Sequence, residues 1–201
     1  MDEPVVDLSN YAAGIFGYGS LISIASLERT LERTYDGPFV TCRVAGWRRS
    51  WDVAMPNPGF CAYTAAGLLV PEHILYLNVR RASGSLLNGV LFGVSRQELQ
   101  AMDKREWIYD RAPVNDQLRG VRIAGGEAYI YVAKPEFIMS NIESPAVAAV
   151  RGSYLEILEA GFSDLAGSFR NEFDKTTDPV PRHLVIADRR VEQDSGLNVA
   201  P

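Results

Sequence analysis

Residues Ala13–Leu31 read AGIFGYGSLISIASLERTL, and this segment decides what kind of fold the chain can adopt. The apolar run Ala13–Gly17 has the length and composition of a buried strand. It leads into a tight turn, Gly17–Ser20, that contains two glycines. After the turn, apolar residues recur at helical spacing: Leu21, Ile24, Leu27 and Leu31. The segment therefore predicts a strand, a tight loop and a helix.

The loop at Gly17–Ser20 has two interpretations at the level of sequence. A glycine turn between a strand and a helix exposes consecutive backbone N–H groups beside the positive end of the helix dipole. Such groups suit a carboxylate or a developing oxyanion. The same glycines can also serve only to make a tight turn.

Two known motifs have a similar form but fail at specific positions. A dinucleotide-binding fingerprint needs a third glycine where Ile22 stands, and no repeated β-α units follow. A nucleophilic Ser20 would be expected within a G-x-S-x-G pattern, which its neighbours do not make. Neither histidine has a sequence context that marks it as the partner of Ser20. Ser20 is therefore interpreted as a hydrogen-bonding group of the loop.

The middle of the chain is rich in β-branched and aromatic residues, separated by Gly, Pro and Asn clusters, which indicates successive strands. The predicted strands are Phe39–Trp47, Ser50–Ala54, Ile74–Arg80, Leu87–Val94, Trp107–Val114 and Glu127–Ala133. Because strict β-α alternation is absent, the predicted class is α+β, with a mixed, barrel-like sheet and flanking helices.

Three helices are predicted after the first one. Ser95 opens the S-x-x-E pattern of a capping box, so a short helix should cover about 96–103. Ser144-Pro145 has the form of an N-cap followed by proline and begins the longest predicted helix, which continues to Gly161. Another helix is predicted at about 163–173.

The composition is that of an ordinary globular protein, since 47% of the 201 residues are hydrophobic and 22% are charged. It predicts a single domain over 1–201, with an extended or mobile tail from about 175. A net charge of −5 with dispersed basic residues argues against nucleic-acid and membrane partners. The acidic first ten residues lack the positive region of a secretory signal, which predicts a cytoplasmic location.

Cysteine and histidine usage argues against a metal site. Cys42 and Cys61 are the two cysteines, and reduced thiols are expected because a chain with this apolar content does not need a single bridge. His73 and His183 lie far apart, outside any HExxH or CxxC spacing. No metal is therefore expected.

A second candidate segment is Asp103–Glu106, DKRE, where the capped helix gives way to a strand. Rigid elements on both sides can aim a side chain at such a junction. Most charge runs of this kind are solvated surface, and Glu106 would then be one exposed acid among 25. The segment alone leaves both interpretations open.

The two segments together resemble the γ-glutamylcyclotransferase-like family. After the FGYGSL loop come a D-x-R-E element and a Y-x-R-x-x-V strand, made here by Asp103, Arg105, Glu106, Tyr109, Arg111 and Val114. Other stretches similar to the family are Gly46–Trp51, Asn88–Phe92, Ser153–Leu155 and Pro181-Arg182. The order and spacing of these stretches carry the resemblance.

The resemblance implies an enzyme that needs no cofactor. In the implied reaction, the free α-amine of a γ-glutamyl group attacks its own γ-carbonyl, releases an amine or amino acid and closes 5-oxoproline. Glu106 would be the catalytic base, and the implied substrate-binding residues are Tyr18, Gly19, Ser20, Leu21, Tyr129 and Tyr154. The partner would be a small γ-glutamyl amino acid, γ-glutamyl amine or glutathione, and the protein a monomer or homodimer.

Several points stay open. Tyr129 and Tyr154 are explained equally well as core aromatic residues of a strand and a helix. Tyr109 and Arg111 are interpreted as structural. Trp107, where many relatives place glycine, is bulky enough to narrow the pocket. A non-catalytic module of the same fold that senses a γ-glutamyl metabolite is the alternative function.

Overall fold

The computed structural model describes residues 3–190, and the predicted α+β class with a mixed, curled sheet is confirmed. The helices are α1 (Ile24–Leu31), α2 (Arg96–Arg105), α3 (Gly152–Ser163) and α4 (Ser168–Lys175). The strands are β1 (Val5–Asp7), β2 (Ala13–Gly17), β3 (Phe39–Pro56), β4 (Phe60–Thr64), β5 (Gly67–Leu69), β6 (His73–Val94), β7 (Tyr109–Pro113), β8 (Leu118–Arg119), β9 (Arg122–Ala124), β10 (Ala128–Ala133), β11 (Ala148–Arg151), β12 (Val185–Ile186) and β13 (Arg189–Arg190). Within residues 3–190, no helix is long and apolar enough to cross a membrane.

Two long antiparallel strands, β3 and β6, are paired along nearly their whole length and form the centre of the sheet. The sequence predicts two separate strands in each of these stretches. The structure joins the two predicted strands of β3, because the chain absorbs the irregularities as bulges. One bulge lies between Ala45 and Trp47, where Gly46 has a φ of +82°, a conformation that glycine adopts at little cost.

Strand β2, which carries the glycine loop at its end, is buried along its whole length. It pairs antiparallel with the last part of β6 and parallel with β10, and β10 continues the sheet to β7. Strand β2 can approach β6 closely because residue 89 is glycine. A Cβ on Gly89 would lie 2.4 Å from the Phe16 ring and 2.5 Å from the carbonyl oxygen of Gly17.

Helix α2 begins as predicted. Ser95 and Glu98 form both hydrogen bonds of the capping box, which satisfies free N–H groups at the helix start. The helix ends at Arg105, two residues beyond the predicted end, so Glu106 is its C-cap residue. Glu106 therefore occupies the predicted junction between a helix and a strand.

The longest predicted helix is wrong at its start. Ser144 begins a turn, Ala148–Arg151 form β11 beside β6, and α3 begins only at Gly152. Residues 148–150 are all fully buried. Three consecutive buried residues fit a strand covered on both faces, whereas a surface helix would expose part of its circumference. The next helix, predicted at about 163–173, begins at Ser168.

The chain after Lys175 packs against the sheet. The backbone of Arg49 donates to the carbonyl oxygen of Thr176 and accepts from the N–H of Asp178. Farther on, β12 pairs with β11 and β13 pairs with β4. The tail predicted from about 175 falls partly on this segment and partly on residues 191–201, which lie outside the described residues.

Candidate active site

A cavity of about 760 Å³ lies between the glycine loop, the adjoining ends of α1 and α2, the sheet and α3. Its lining includes six of the seven site residues expected from sequence: Tyr18, Gly19, Ser20, Leu21, Glu106 and Tyr154. Tyr129 is absent from that lining. The structure thus brings together residues that are widely separated in the chain.

The loop runs from the end of β2 into a single 3-10 turn, Ser20–Ile22, in which the Gly19 carbonyl accepts from the N–H of Ile22. The first N–H groups of such a turn have no partner within it. Gly19 faces the hydroxyl group of Tyr154, because a Cβ on Gly19 would lie 2.9 Å from that oxygen. The loop therefore presents backbone donors beside a tyrosine hydroxyl.

Tyr18 anchors the loop from both its side chain and its backbone. Its buried hydroxyl group donates to the carbonyl oxygen of Tyr131 at 2.8 Å, and burial raises the pKa of this phenol. Its own carbonyl accepts from Nε of Arg49 at 2.7 Å. Tyr18 thereby connects the loop to β10 and β3, and these two hydrogen bonds hold the loop in place at the edge of the cavity.

Glu106 sits at the C-terminal end of α2, where its backbone N–H donates to the carbonyl oxygen of Met102 at 2.8 Å. Its side chain is 16% exposed, and Oε1 lies 3.1 Å from Nε of Arg105. Burial raises the pKa of Glu106, and the neighbouring Arg105 charge opposes that shift. A half-buried carboxylate with a raised pKa is suited to exchange protons with a bound molecule.

Arg105 connects Glu106 to the loop. Its Nη2 donates to Oγ of Ser20 at 2.8 Å, and its Nη1 donates to the carbonyl oxygen of Ser26 at 3.2 Å and to the hydroxyl group of Thr30. One guanidinium thus contacts the carboxylate, the loop and α1. This arrangement holds the Glu106 carboxylate in a fixed position relative to the backbone of the loop.

The remaining motif residues support this frame. Nε of Arg111 lies 3.1 Å from Oδ1 of Asp103, and the same oxygen accepts from the hydroxyl group of Tyr131 at 2.8 Å. The hydroxyl group of Tyr109 donates to the carbonyl oxygen of Leu77 at 2.9 Å. The contacts of Asp103 fix α2 against β7 and β10, and the bond from Tyr109 joins β7 to β6. Tyr109 also lines the cavity.

Tyr154 reaches the cavity from α3, and its ring packs edge-on against Tyr76 at 5.0 Å and Trp51 at 6.1 Å. Burial is the largest cause of the raised pKa of Tyr154, so its hydroxyl group stays protonated at neutral pH. Tyr154 combines both interpretations made from sequence, because it is a core aromatic residue whose hydroxyl end faces Gly19.

Tyr129 lies elsewhere. Its hydroxyl group donates to the carboxylate of Glu127, and the Arg111 guanidinium lies 5.1 Å from its ring centre. Tyr131, two residues farther along β10, lines the cavity instead. Both tyrosines lie on the same face of β10. Because β10 runs parallel to β2 and toward the loop, only Tyr131, the later of the two, reaches the cavity.

Trp107 points away from the cavity. Its side chain is 46% exposed and packs edge-on against Phe137 at 5.0 Å, beside a second pocket that also contains Tyr129 and Lys134. The expectation that this residue narrows the substrate pocket is therefore not met, and the neighbouring Ile108 lines the cavity in its place.

Sequence reasoning missed the far wall of the cavity. Met55, Tyr76 and Arg151 come from three different strands, and Arg151 is held by the Asp188 carboxylate at 3.0 Å and by the hydroxyl group of Tyr76 at 3.3 Å. No local pattern marks these residues, because only strand pairing brings them together. In the described part of the chain, no group of three or more His, Cys, Asp or Glu residues could hold a metal ion.

Solved structures share this architecture. An uncharacterized protein from Homo sapiens matches over 84% of this chain and 89% of its own length, with 14% identity and a TM-score of 0.55. A gamma-glutamyl cyclotransferase matches over the same fractions, with 12% identity and a TM-score of 0.53. The chain has the γ-glutamylcyclotransferase fold. The fold implied by the sequence resemblance is thereby confirmed.

A third structure with this fold, YkqA from Bacillus subtilis, matches over 81% of the chain and 53% of its own length, with 17% identity and a TM-score of 0.53. No protein-family model and no curated protein match the sequence. At these identities the likeness establishes the γ-glutamylcyclotransferase fold alone, since one fold can carry different activities.

Proposed function

We propose that this protein is a γ-glutamylcyclotransferase, which converts a γ-glutamyl amide into 5-oxoproline and a free amine or amino acid. One observation carries the proposal: a half-buried carboxylate, Glu106, and a loop of free backbone donors, Tyr18–Leu21, line the same cavity. Ring closure needs a base that takes a proton from the amine and hydrogen-bond donors that stabilise the oxyanion. Glu106 can provide the first and the backbone of the loop the second.

Glu106 acts as the base in this mechanism. The α-ammonium group of the substrate gives a proton to the carboxylate, and the resulting amine attacks the γ-carbonyl carbon to form the new C–N bond. That proton then passes to the nitrogen of the departing amine as the original amide bond breaks. The new ring nitrogen gives a second proton to Glu106, which passes it on to the released amine, so the products are 5-oxoproline and an ammonium ion. Burial, which raises the pKa of Glu106, brings its proton affinity closer to that of the reacting groups.

The loop and the tyrosines provide orientation. Backbone N–H groups of Gly19, Ser20 and Leu21 are the donors for the substrate α-carboxylate and the oxyanion. The cavity volume of about 760 Å³ falls in the usual range of small-molecule sites. Holding the substrate folded back on itself supplies much of the rate in a ring closure.

The test is product analysis with a panel of γ-glutamyl amino acids, γ-glutamyl amines and glutathione. We expect 5-oxoproline and the matching amine in equal amounts from at least one of them. If no compound yields 5-oxoproline but calorimetry detects binding, the protein is a sensing module of the same fold. A small-molecule substrate, a cytoplasmic location and a monomeric or homodimeric state are parts of the proposal.

Replacing Arg105 by glutamine is expected to move the acidic limb of the kcat/KM profile to higher pH. The Arg105 charge lowers the pKa of Glu106, so its loss raises that pKa, and the base is then protonated over a wider range. The measurement is kcat/KM as a function of pH. Arg96→Gln, an exposed residue at the start of the same helix, is the control, and an unmoved limb in Arg105→Gln would exclude Glu106 as the titrating base.

Gly19→Ala is expected to lower kcat/KM about tenfold, because a methyl group 2.9 Å from the Tyr154 oxygen forces the loop or the ring to shift. The loss should be smaller when the same change is made in a Tyr154→Phe background, where the clashing oxygen is absent. A double-mutant cycle of the four proteins measures this coupling. Equal losses in both backgrounds would show that Gly19 does not face Tyr154.

A further inference from the structure

Arg49 is a fully buried arginine whose acceptors, within residues 3–190, are all neutral. Its Nε donates to the Tyr18 carbonyl at 2.7 Å, its Nη1 to Oδ1 of Asn88 at 3.1 Å and to Oγ1 of Thr176 at 3.0 Å, and its Nη2 to the Asn88 carbonyl. The guanidinium also stacks on the ring of Phe173, with Cζ 3.9 Å from the ring centre. Each guanidinium nitrogen thus has at least one hydrogen-bond acceptor, but no acceptor carries a negative charge.

Such a charge is costly for the folded protein. A buried cation is ordinarily paired with a carboxylate. Without such a counter-ion, removing the charge from water costs on the order of several kcal/mol. Asp174, the acid that acts on Arg49 from a distance, lies 3.0 Å from Arg170 at the surface. Burial accordingly lowers the pKa of Arg49 to about 9. The site lacks one negative charge.

The geometry directs this charge at the cavity. In the described residues every peptide bond is trans, so the C=O and N–H of the Tyr18–Gly19 peptide group point in opposite directions. The C=O accepts from Arg49, and the N–H of Gly19 is therefore directed away from Arg49, on the side where Gly19 lines the cavity. A hydrogen bond at the carbonyl polarises the peptide group and makes its N–H a stronger donor.

We propose that Arg49 is a positioning residue that makes the glycine loop an anion site: its buried charge acts through the Tyr18–Gly19 peptide group on the carboxylate of the bound molecule. The bound carboxylate supplies the missing negative charge without touching the guanidinium. This inference rests on the proposed function in one respect, since it takes the anion to be the α-carboxylate of a γ-glutamyl group, which 5-oxoproline retains.

The experiment measures binding of 5-oxoproline by NMR, independently of turnover. The ¹⁵N-labelled protein is titrated with 5-oxoproline while the Gly19, Ser20 and Leu21 amides and the Nε–H of Arg49 are followed. We expect the Gly19 amide and the Arg49 Nε–H to shift together with a single Kd. Binding that leaves the Gly19 amide unmoved, or no binding at all, overturns the proposal even if no variant folds.

Variants at Asn88 separate charge from structure. Asn88→Asp keeps an oxygen acceptor for Arg49 but adds a carboxylate beside it, whereas Asn88→Ala removes the side-chain acceptor and adds no charge. Both lose the hydrogen bond from Asn88 to the Phe169 carbonyl. We expect Asn88→Asp to weaken 5-oxoproline binding about tenfold more than Asn88→Ala, because the new carboxylate neutralises Arg49. In the absence of 5-oxoproline, Asn88→Asp should also shift the Gly19 amide proton resonance upfield.

Asn171→Asp, at an exposed position of α4, adds the same charge away from Arg49 and should bind like the wild type. A purely structural Arg49 predicts the opposite order, with Asn88→Ala the weaker binder, and that order overturns the proposal. The proposed function can fail separately. If the wild-type protein binds 5-oxoproline at the loop and the variants follow the expected order, the anion site stands. If the same protein forms no 5-oxoproline from any γ-glutamyl compound, the proposed enzymatic activity is wrong.

Discussion

Glu106→Gln is expected to lower the turnover of a γ-glutamyl substrate by about 10² to 10⁴, the usual contribution of general acid–base catalysis. Glutamine keeps the shape of the side chain and an acceptor for Arg105, but it cannot take the proton of the α-ammonium group. The measurement is 5-oxoproline release under saturating and limiting substrate. Since the substrate still fits, the loss should fall on kcat more than on KM.

The same variant should keep its melting temperature or gain slightly. Burial raises the pKa of Glu106 in the folded protein, so its ionised form costs stability at pH values above the unfolded pKa, and a neutral amide removes that cost. Glu156→Gln, an exposed acid of α3, is the matched control and should change neither quantity. A folded Glu106→Gln protein with wild-type turnover would remove the base from the mechanism.

Gly17→Ala is expected to lower kcat/KM by about 10², because it distorts the loop that carries the backbone donors. A Cβ on Gly17 would lie 2.8 Å from Cβ of Leu21 and 3.1 Å from its carbonyl oxygen. The obstacle is the backbone of the loop itself, so no rotation of a side chain relieves it. Overpacking of this kind should also reduce the free energy of unfolding by about 1–3 kcal/mol.

Gly167→Ala is the control for that substitution, because a Cβ on Gly167 would have no atom of residues 3–190 within 4 Å. Chemical denaturation and kcat/KM should both stay near the wild-type values in this control. If Gly17→Ala binds 5-oxoproline and turns over substrate as the wild type does, the exact course of the loop is unimportant for the reaction, and the donors must come from elsewhere in the cavity.

Local interactions explain why some elements could be predicted from sequence. The strand β2, the glycine loop after it and the capping box of Ser95 all depend on residues within a few positions of one another. The junction at Glu106 follows directly, since the end of α2 decides where that side chain stands. These are the parts for which periodicity and capping are sufficient.

Strand pairing explains why other parts could not be predicted. Tyr129 and Tyr131 have the same parity on β10, and only the parallel pairing with β2 decides that Tyr131 reaches the cavity. The apolar spacing near Ser144 fits a helix until residues 148–150 are buried beside β6 as β11. Burial on both faces is a property of the neighbouring elements and leaves no mark on the local pattern.

From the sequence alone came the α+β class, the strand–loop–helix unit at residues 13–31 and the candidate pairing of that loop with Glu106. Only the tertiary structure placed the two around one cavity, through the Arg105 guanidinium, and set the buried Arg49 charge behind the loop. The physical reason is range: hydrogen bonds of helices and turns join near neighbours, whereas burial and charge at the site arise from residues that the sheet brings together.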